Sequence, residues 1–327
     1  THTQSSAASD VYKRQLPTLA NQSPLRLAWG QPDGWLGVQN IAYSAAPEII
    51  ATTADYIVVA HPNFMGSKLD EFVKLKESQG FTTEIVNWQS LVAHFGFGND
   101  TPQALSRYLR SLPEIDATRH LLIVGGHSYD YRGISGQETV NYIPTYYRAV
   151  SVLRFAPTDN PFADLDGDQR PELAVGRWPV RTSQDLDKIV DKTLRWHELR
   201  DQQPYQAALL LAQAVDNRNL DFAEQLQGRV AIPLGAMPEF DRVSLIDLNG
   251  LGSGAMTIQS VRDEVSERIR DGLGLLSFAG HASTAGWGYQ GIVDTQFIQS
   301  LDNAHAPLIV MPLACYTTNS ESISVNT

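Results

Sequence analysis

The chain contains one cysteine, Cys315, which follows directly after the apolar run LIVMPLA. His281 has the same setting, because it follows the run GLLSFAG. Such runs predict buried strands, and the carboxyl ends of neighbouring parallel strands meet at one edge of a sheet. A thiol has a pKa of about 8.5, and a nearby imidazole raises its thiolate fraction and later protonates a leaving amine. The two positions therefore predict a thiol–imidazole pair for nucleophilic catalysis.

Other interpretations of these residue types stay open at this point. A cysteine after an apolar strand also fits a small buried hydrophobe, and a histidine in a Gly-rich loop also fits a local hydrogen-bonding role. A single cysteine excludes an internal disulfide and a Cys-rich zinc site. His127 in GGHSYDY and His61 before Pro62 are interpreted as loop histidines with local hydrogen bonds.

An acidic segment places four carboxylates within nine residues, those of Asp164, Asp166, Asp168 and Glu172. Oxygen ligands at this density suit a hard cation such as calcium. The segment is not an EF-hand, because glycine falls at loop position 4 and Val175 stands where that motif has its bidentate glutamate. The alternative is a loop of Asx-turns that leads into the next strand without a metal.

From residue 56 onward, short β-branched apolar runs alternate with segments of helical period, which predicts an α/β fold with a mostly parallel sheet. The expected strands cover residues 56–60, 83–88, 121–124, 172–177, 208–215, 242–246, 274–278 and 308–313. The expected helices cover residues 68–79, 101–112, 183–200, 220–227 and a segment with Val261, Val265 and Ile269 on one face. The GLGSG segment, 250–254, does not match a dinucleotide fingerprint and is predicted to be a loop.

The chain is predicted to divide into four parts. Residues 5–15, SSAASDVYKRQ, resemble a translated sequencing adapter, so residues 1–15 are expected to be disordered and are excluded from the fold. Residues 16–54 are expected to be the tail of an N-terminal domain or a linker. Two subdomains, 55–203 and 204–327, are expected to meet near Pro204. We interpret the chain as an environmental gene fragment cut at both ends, with the second subdomain incomplete.

Charge and hydropathy exclude two classes of partner. The formal net charge is -11 and the sequence pI is about 5.1, without a basic cluster that would follow a phosphate backbone. Nucleic acid is therefore excluded. The longest apolar runs, 207–215 and 308–314, are shorter than the roughly 18–20 residues of a membrane-spanning helix, so no span is expected.

Five segments resemble, in order, segments of the gingipain family of cysteine peptidases, which share the caspase-like α/β/α fold; the likeness covers most of residues 55–319. The segments are FGFGNDTPQALSRYL, LLIVGGHSYDY, TDNPFADLDGDQRPELAVGRWPVRT, GLLSFAGHASTAGWG and LDNAHAPLIVMPLACYTT. The resemblance implies that His281 and Cys315 form a catalytic dyad. It also implies that the backbone N–H groups of Ala282 and Cys315 bind the tetrahedral oxyanion. The family usually has glycine where this chain has Ala282, which keeps the N–H but excludes a conformation that only glycine adopts.

The resemblance has further implications for specificity and location. It implies that Asp159 lies at the base of the S1 pocket, so that cleavage follows Arg or Lys; a solvated loop aspartate is the alternative. Trp287 is expected to line the substrate cleft or, equally, to pack in the core. The family is stabilised by calcium, which favours a structural calcium at the acidic segment, and no cofactor is expected for catalysis. The sequence does not indicate a third catalytic residue.

The predicted function is a cysteine-type endopeptidase that cleaves proteins through an acyl-thioester and is secreted or held at a bacterial cell surface. A sorting transpeptidase of type IX secretion would share the dyad and pass the acyl group to an amine. A catalytically silent surface scaffold would keep the fold, with Cys315 and His281 pointing apart.

Overall fold

A computed structural model describes residues 52–112, 120–131, 134–136, 140–150, 154–202, 206–216, 219–288 and 291–317. All of these residues belong to one compact unit, Glu48–Thr327. The predictions for residues 1–15 and the meeting point of the two subdomains at Pro204 lie outside the described residues. Among the described helices, none combines the length and apolarity that crossing a bilayer requires.

Two four-stranded parallel sheets form the framework, with strand orders β2-β1-β3-β6 and β12-β9-β7-β8. Two short antiparallel pairs, β4-β5 and β10-β11, accompany them. The strands are β1 (Tyr56–Ala60), β2 (Thr83–Asn87), β3 (His120–Val124), β4 (Tyr146–Arg148), β5 (Ala156–Thr158), β6 (Ala174–Trp178), β7 (Ala207–Ala212), β8 (Arg242–Asp247), β9 (Leu273–Ala279), β10 (Ala282–Ser283), β11 (Gly286–Trp287) and β12 (Ile309–Leu313). The predicted α/β class with parallel sheets is confirmed.

Helices lie in the connections between the parallel strands, because parallel strands must be joined by crossovers. They are α1 (Ser67–Ser78), α2 (Trp88–Phe95), α3 (Pro102–Ser111), α4 (Asn160–Ala163), α5 (Ser183–Gln202), α6 (Phe222–Leu226), α7 (Ile232–Gly235), α8 (Asn249–Ser253), α9 (Ile258–Arg270) and α10 (Thr295–Ser300). A 3₁₀ turn covers Pro62–Phe64, and a π-helical turn, Gln227–Ala231, joins α6 to α7.

The first sheet is covered by helices on both faces, because successive side chains of a strand point to opposite sides. Ile57 and Val59 of β1 belong to the apolar cluster that contains α2 and α3. Val58 and Ala60 belong to the cluster on the other face, which contains α1 and α5. This two-sided burial explains why β1 appears in the sequence as one continuous apolar run.

The second sheet repeats this layering and has the most deeply buried strands. All seven residues of β9 are buried, as are five of the six residues of β7. Leu209 and Leu211 pack with α9 and α10, whereas Leu210 and Ala212 pack with α6. Each four-stranded sheet is thus the middle layer of an α/β/α arrangement.

The structure differs from the predicted elements at a few boundaries. Trp88 begins α2 instead of ending β2, because the side chain of Asn87 caps the helix by accepting a hydrogen bond from the N–H of Ser90 at 3.2 Å. The strand predicted over 208–215 ends at Ala212, so the next residues form a loop at the sheet edge. The GLGSG segment is largely helical, within α8, and not a loop.

Candidate active site

Three neighbouring strands of the second sheet end at the same edge. The pairing register aligns Leu313 of β12 with Ala279 of β9, and Ala279 with Ala212 of β7. His281 and Cys315 each lie two residues beyond their aligned partners on adjacent parallel strands. The N–H of Gly280 also faces the carbonyl oxygen of Leu313 at 3.5 Å. The two predicted residues therefore follow neighbouring strand ends at the same edge of the sheet.

The loop that follows the third strand, β7, supplies a carboxylate to the imidazole. Nε2 of His281 lies 3.1 Å from Oδ2 of Asp216. The Asp216 side chain is 1% exposed, whereas the His281 side chain is 37% exposed. The other oxygen, Oδ1, accepts a hydrogen bond from the N–H of Leu220 at 3.0 Å. The carboxylate is thus fixed by its own loop, and it orients the imidazole through Nε2.

Aromatic packing also restrains this imidazole. The ring of Phe222, at the start of α6, meets the ring of His281 edge to face at a centroid distance of 5.6 Å. Edge-to-face contacts of this kind favour one ring orientation. Asp216 and Phe222 therefore contact the same imidazole.

The loop after His281 forms a small hairpin, β10-β11. The N–H of Gly288 donates to the carbonyl oxygen of His281 at 2.8 Å. In the antiparallel pattern, the next pair, Ala282 and Trp287, is a non-hydrogen-bonded pair whose N–H groups point away from the hairpin. The N–H of Trp287 accordingly donates outward, to the carbonyl oxygen of Val293 at 2.9 Å. The N–H of Ala282 points outward as well.

Cys315 lies two residues beyond the end of β12, and it is exposed. This exposure does not fit a small buried hydrophobe, the alternative that the sequence left open. The following residue, Tyr316, has a left-handed backbone with φ of 57°. Non-glycine residues with this conformation are uncommon and cluster at functional sites.

Asp216 is the functional residue that sequence reasoning missed. The predicted strand 208–215 ends immediately before it, so Asp216 has the same relation to an apolar run as His281 and Cys315. This common position was a usable signal. Asp216 was not predicted because it lies 65 residues from His281 in sequence and no motif joins the two residues.

Asp159 is paired within the chain, an arrangement that differs from the open S1 carboxylate that the resemblance implied. Its two carboxylate oxygens accept hydrogen bonds from Nε and Nη2 of Arg177 at 2.7 and 2.8 Å, and Thr145 donates a further bond at 2.6 Å. Burial raises the pKa of Asp159, but the hydrogen bonds and charge of Arg177, with the hydrogen bond from Thr145, together lower the pKa below its ordinary value. The chain's own arginine thus provides the countercharge that a substrate side chain was expected to provide. Asp159 lies between β5 and α4, in the connection from β3 to β6 of the first sheet.

Trp287 packs in the core, which is the second of its two predicted roles. It is 9% exposed and stacks on Phe278 with centroids 5.2 Å apart and ring planes 13° apart. Its outer side lines a cavity of about 690 Å³ beside α5, together with Leu276, Phe297 and Lys192. Neither His281 nor Cys315 lines this cavity. We therefore do not assign Trp287 to substrate binding.

The acidic segment contains converging carboxylates and Asx-type turns. Carboxylate oxygens of Asp164, Asp166 and Glu172 lie within 4.8 Å of one another, and Asp168 is not part of this group. The N–H of Gly167 donates to Asp164 at 2.8 Å and that of Asp168 donates to Asp166 at 2.9 Å, so Asx-type turns are present as well. Three converging carboxylates fit part of the oxygen shell of a calcium ion, which takes six to eight ligands.

The two remaining candidate histidines differ from each other. Nδ1 of His61 accepts a hydrogen bond from the N–H of Asn63 at 3.3 Å, which confirms the predicted local role. For His127 that prediction was wrong, because among the described residues neither ring nitrogen has a hydrogen-bond partner. His127 is 5% exposed, and burial together with the charge of Arg177 lowers its pKa to about 4.

Comparison with known proteins identifies a family whose sequence pattern this chain matches. The profile of peptidase family C25 matches residues 49–326. The fold is similar to the crystal structure of the Arg specific cysteine proteinase gingipain R, with a TM-score of 0.60 and 16% identity over 85% of this chain and 58% of that chain. The complex of the pro- and mature domains of RgpB from Porphyromonas gingivalis gives a TM-score of 0.60 and 16% identity over 83% and 57% of the two chains.

These likenesses have a defined extent. At 16% identity the two solved structures show a common fold, and the chain spans less than two thirds of the length of either. A third structure, titled "Structure of Protease", has a TM-score of 0.56 and 17% identity over 81% of this chain and 53% of that chain. No curated protein sequence matches the chain.

Proposed function

The chain belongs to peptidase family C25, and from this premise we propose that it is a cysteine-type endopeptidase with Cys315 as nucleophile and His281 as acid and base. The observation that supports this proposal best is the strand register, which aligns the ends of β12 and β9 and places Asp216 from β7 on the imidazole at 3.1 Å. A nucleophile, a base and an orienting group on three adjacent strands match the general pattern of an activated nucleophile.

The reaction would begin with proton transfer from the Cys315 thiol to the imidazole. Because Nε2 of His281 is held by Asp216, we assign Nδ1 to this proton transfer. The thiolate attacks the carbonyl carbon of the scissile peptide bond, and the carbonyl electron pair moves to oxygen. The backbone N–H groups of Ala282 and Cys315 are the proposed donors to this oxyanion, since the N–H of Ala282 points out of its hairpin.

The intermediate collapses as the C–N bond breaks and the imidazolium protonates the leaving amine. The acyl group is then bound to Sγ as a thioester. A water molecule gives its proton to His281 and attacks the thioester carbonyl, and Sγ leaves as the thiolate. Throughout these steps the buried carboxylate of Asp216 keeps the imidazole in one orientation and stabilises its protonated form.

Substrate preference and location are proposals that rest on the family. Cleavage after Arg or Lys is supported by the similarity to an Arg specific proteinase, although Asp159 does not supply the acidic group. Export to the bacterial surface is supported by the same similarity. A transpeptidase would use the same three residues and differ only in the acceptor of the acyl group.

We propose in addition that calcium binds at Asp164, Asp166 and Glu172. Glu172 lies two residues before Ala174, the first residue of β6. A cation there would neutralise three converging charges and tie the acidic loop to the first sheet. It would act on stability, because β6 belongs to the sheet that does not contain Cys315.

The test is hydrolysis of fluorogenic peptides that carry Arg, Lys or Ala before the scissile bond. We expect turnover by the wild-type chain and none by Cys315→Ala or His281→Ala, with His305→Ala, at an exposed histidine, as the matched control. Mass spectrometry of quenched reactions should find the acyl group on Cys315. Added glycine amide separates transfer from hydrolysis, because a transpeptidase gives the amide product.

Full activity of Cys315→Ala would rule out the proposed nucleophile. A second measurement tests the alternative that the chain is a catalytically silent scaffold. The rate at which iodoacetamide alkylates Cys315 should fall in His281→Ala, because the thiolate loses its base. An equal rate in both proteins, without turnover of any peptide, would mean that the chain is a silent scaffold.

A further inference from the structure

Gln213 lies in the first position after β7, and it connects two strand ends. The residue is 3% exposed. Its side-chain Oε1 accepts a hydrogen bond from the backbone N–H of His281 at 2.7 Å. Its own backbone N–H donates to the carbonyl oxygen of Ala279 at 2.9 Å. Gln213 therefore holds the chain on both sides of Gly280, at the point where it leaves β9 and enters the catalytic loop.

Gly280 is the residue that permits this close approach. A Cβ atom at position 280 would lie 2.5 Å from Cβ of Gln213, 2.7 Å from Cζ of Phe278 and 2.8 Å from Oε1 of Gln213. Carbon atoms do not pack at such distances. The Gly-His sequence and the glutamine after β7 thus fit each other, although they are separated by more than sixty residues.

We propose that Gln213 is a positioning residue for the reaction of Cys315 and His281. By holding the His281 N–H, it fixes the peptide plane before the histidine and so directs the imidazole towards Asp216. The same bond occupies the His281 N–H, which leaves the outward N–H of Ala282 as the donor of this loop to the oxyanion. This inference rests on the proposed peptidase function. It adds to that function a positioning residue besides Cys315, His281 and Asp216.

The proposed mechanism explains why loss of one hydrogen-bond acceptor, Oε1 of Gln213, would lower the rate of peptide hydrolysis. A catalytic group that is displaced by about 1 Å can lose on the order of 100-fold in rate. Loss of the acceptor would also leave the N–H of His281 without its partner, and the loop would reorient to find another one. We therefore expect the effect in kcat, because the bond positions His281, which acts in the chemical step.

The test compares Gln213→Met with Gln213→Glu. Methionine keeps the length of the side chain and removes the acceptor, whereas glutamate keeps an acceptor oxygen at the same place. We expect Gln213→Met to lower kcat by about 100-fold with KM within about 2-fold of wild type. Gln213→Glu should stay within about 3-fold in kcat. Gln259→Met is the control for the substitution itself, since Gln259 is exposed and its side-chain amide donates to Asp263.

The inference would be overturned by Gln213→Met with the kcat of wild type, or by Gln213→Glu with as large a loss as Gln213→Met. A purely structural role would lower the melting temperature of both variants and leave kcat per folded molecule unchanged. Hydrogen exchange of the His281 amide in the wild-type chain gives a readout that needs no variant. We expect exchange at least about 10-fold slower than for an unbonded amide, and exchange at the unbonded rate would overturn the proposal.

The two proposals fail in different ways. If the wild-type chain hydrolyses no peptide, the peptidase function fails. The amide exchange of His281 still decides whether Gln213 holds the loop. If peptides are cleaved and Cys315→Ala is inactive, but Gln213→Met matches wild type, only the role of Gln213 fails.

Discussion

At the scale of single residues, the difference in burial between Asp216 and His281 defines the site. The carboxylate is almost fully enclosed, whereas the imidazole is more than a third exposed. A buried carboxylate depends on its partners, so Asp216 fixes one orientation of the imidazole and leaves the other side of the ring accessible. This arrangement suits a base that must meet a thiol and then a leaving amine.

The Asp216 carboxylate gives the first prediction. We expect Asp216→Asn to lower kcat by about 100-fold, because the amide keeps the shape but no longer stabilises the protonated imidazole. KM should change little. Steady-state kinetics with the preferred peptide measure both constants. Asp221→Asn, at a residue that caps α6 in the same loop, is the matched control. Unchanged kcat in Asp216→Asn would remove Asp216 from the mechanism.

His127 gives a prediction about pH. Its pKa is lowered from 6.5 to about 4, with burial as the largest cause. Between these pH values the unfolded chain binds a proton that the folded chain does not bind, so the free energy of unfolding falls as the pH falls. The total loss is on the order of 3 kcal/mol. Urea unfolding at pH 7.5 and pH 4.5 should show a smaller pH dependence for His127→Phe than for wild type.

The phenylalanine variant is suitable because neither ring nitrogen of His127 has a hydrogen-bond partner among the described residues. An apolar ring of similar shape therefore loses no bond. Equal pH dependence in the two proteins would show that His127 is not the group that binds the proton on unfolding.

At the scale of elements, the acidic loop gives a prediction about calcium. If Asp164, Asp166 and Glu172 bind calcium, the ion should stabilise the folded chain by mass action. We expect the melting temperature in 10 mM calcium to exceed that in EGTA by about 3–8 °C, for a site of the weak extracellular kind. Asp166→Asn should abolish the difference. Asp168→Asn should keep it, because Asp168 lies outside the converging group. An effect of equal size in both variants would contradict the site.

The sequence predicted the elements well where apolar periodicity was strong. The strand at Tyr56–Ala60 was predicted at its observed boundaries, and the long helix Ser183–Gln202 was predicted to within two residues. The boundary at Trp88 was wrong because a capping side chain, Asn87, decided it locally. The short pairs β4-β5 and β10-β11 were not predicted, since two or three residues carry no period.

The site was predictable to the extent that strand ends could be located. His281 and Cys315 follow apolar runs, so their positions were visible in the sequence. The partner of Asp159 was not, because Arg177 lies 18 residues away and pairs with it only through the fold. A contact of this kind depends on the order of strands in the sheet, which local pattern does not encode.

At the scale of the whole molecule, helices cover both four-stranded sheets, but the outermost strand of the second sheet, β12, is largely exposed in the described part of the chain. Ile309, Val310, Met311 and Leu313 are 41–51% exposed. Pro312 lies within this strand. Its neighbour Leu313 turns its carbonyl oxygen towards β9, so the missing N–H of Pro312 faces the outer edge. Proline on an outer edge hinders pairing with another strand.

This edge predicts how the isolated chain behaves at high concentration. Exposed apolar residues on an unpaired strand promote association between chains. We expect Met311→Lys to reduce light scattering at 50 μM, because a charge on the strand opposes stacking with a second strand. Ile232→Lys is the control, since Ile232 is 61% exposed but lies on the short helix α7. Equal reduction by both changes would attribute the effect to net charge and not to the strand edge.

The position of β12 at the border of the sheet would also make the proposed catalysis dependent on local opening. The proposed nucleophile, Cys315, follows a strand that pairs with one described neighbour, whereas His281 and Asp216 follow strands that pair with two. Partial detachment of β12 would therefore separate sulfur from imidazole while the rest of the sheet remained folded, because marginal segments open at lower free energy than the core. Enzymatic rate would then decline on heating before the cooperative transition begins, and it would recover on cooling as β12 pairs again with β9.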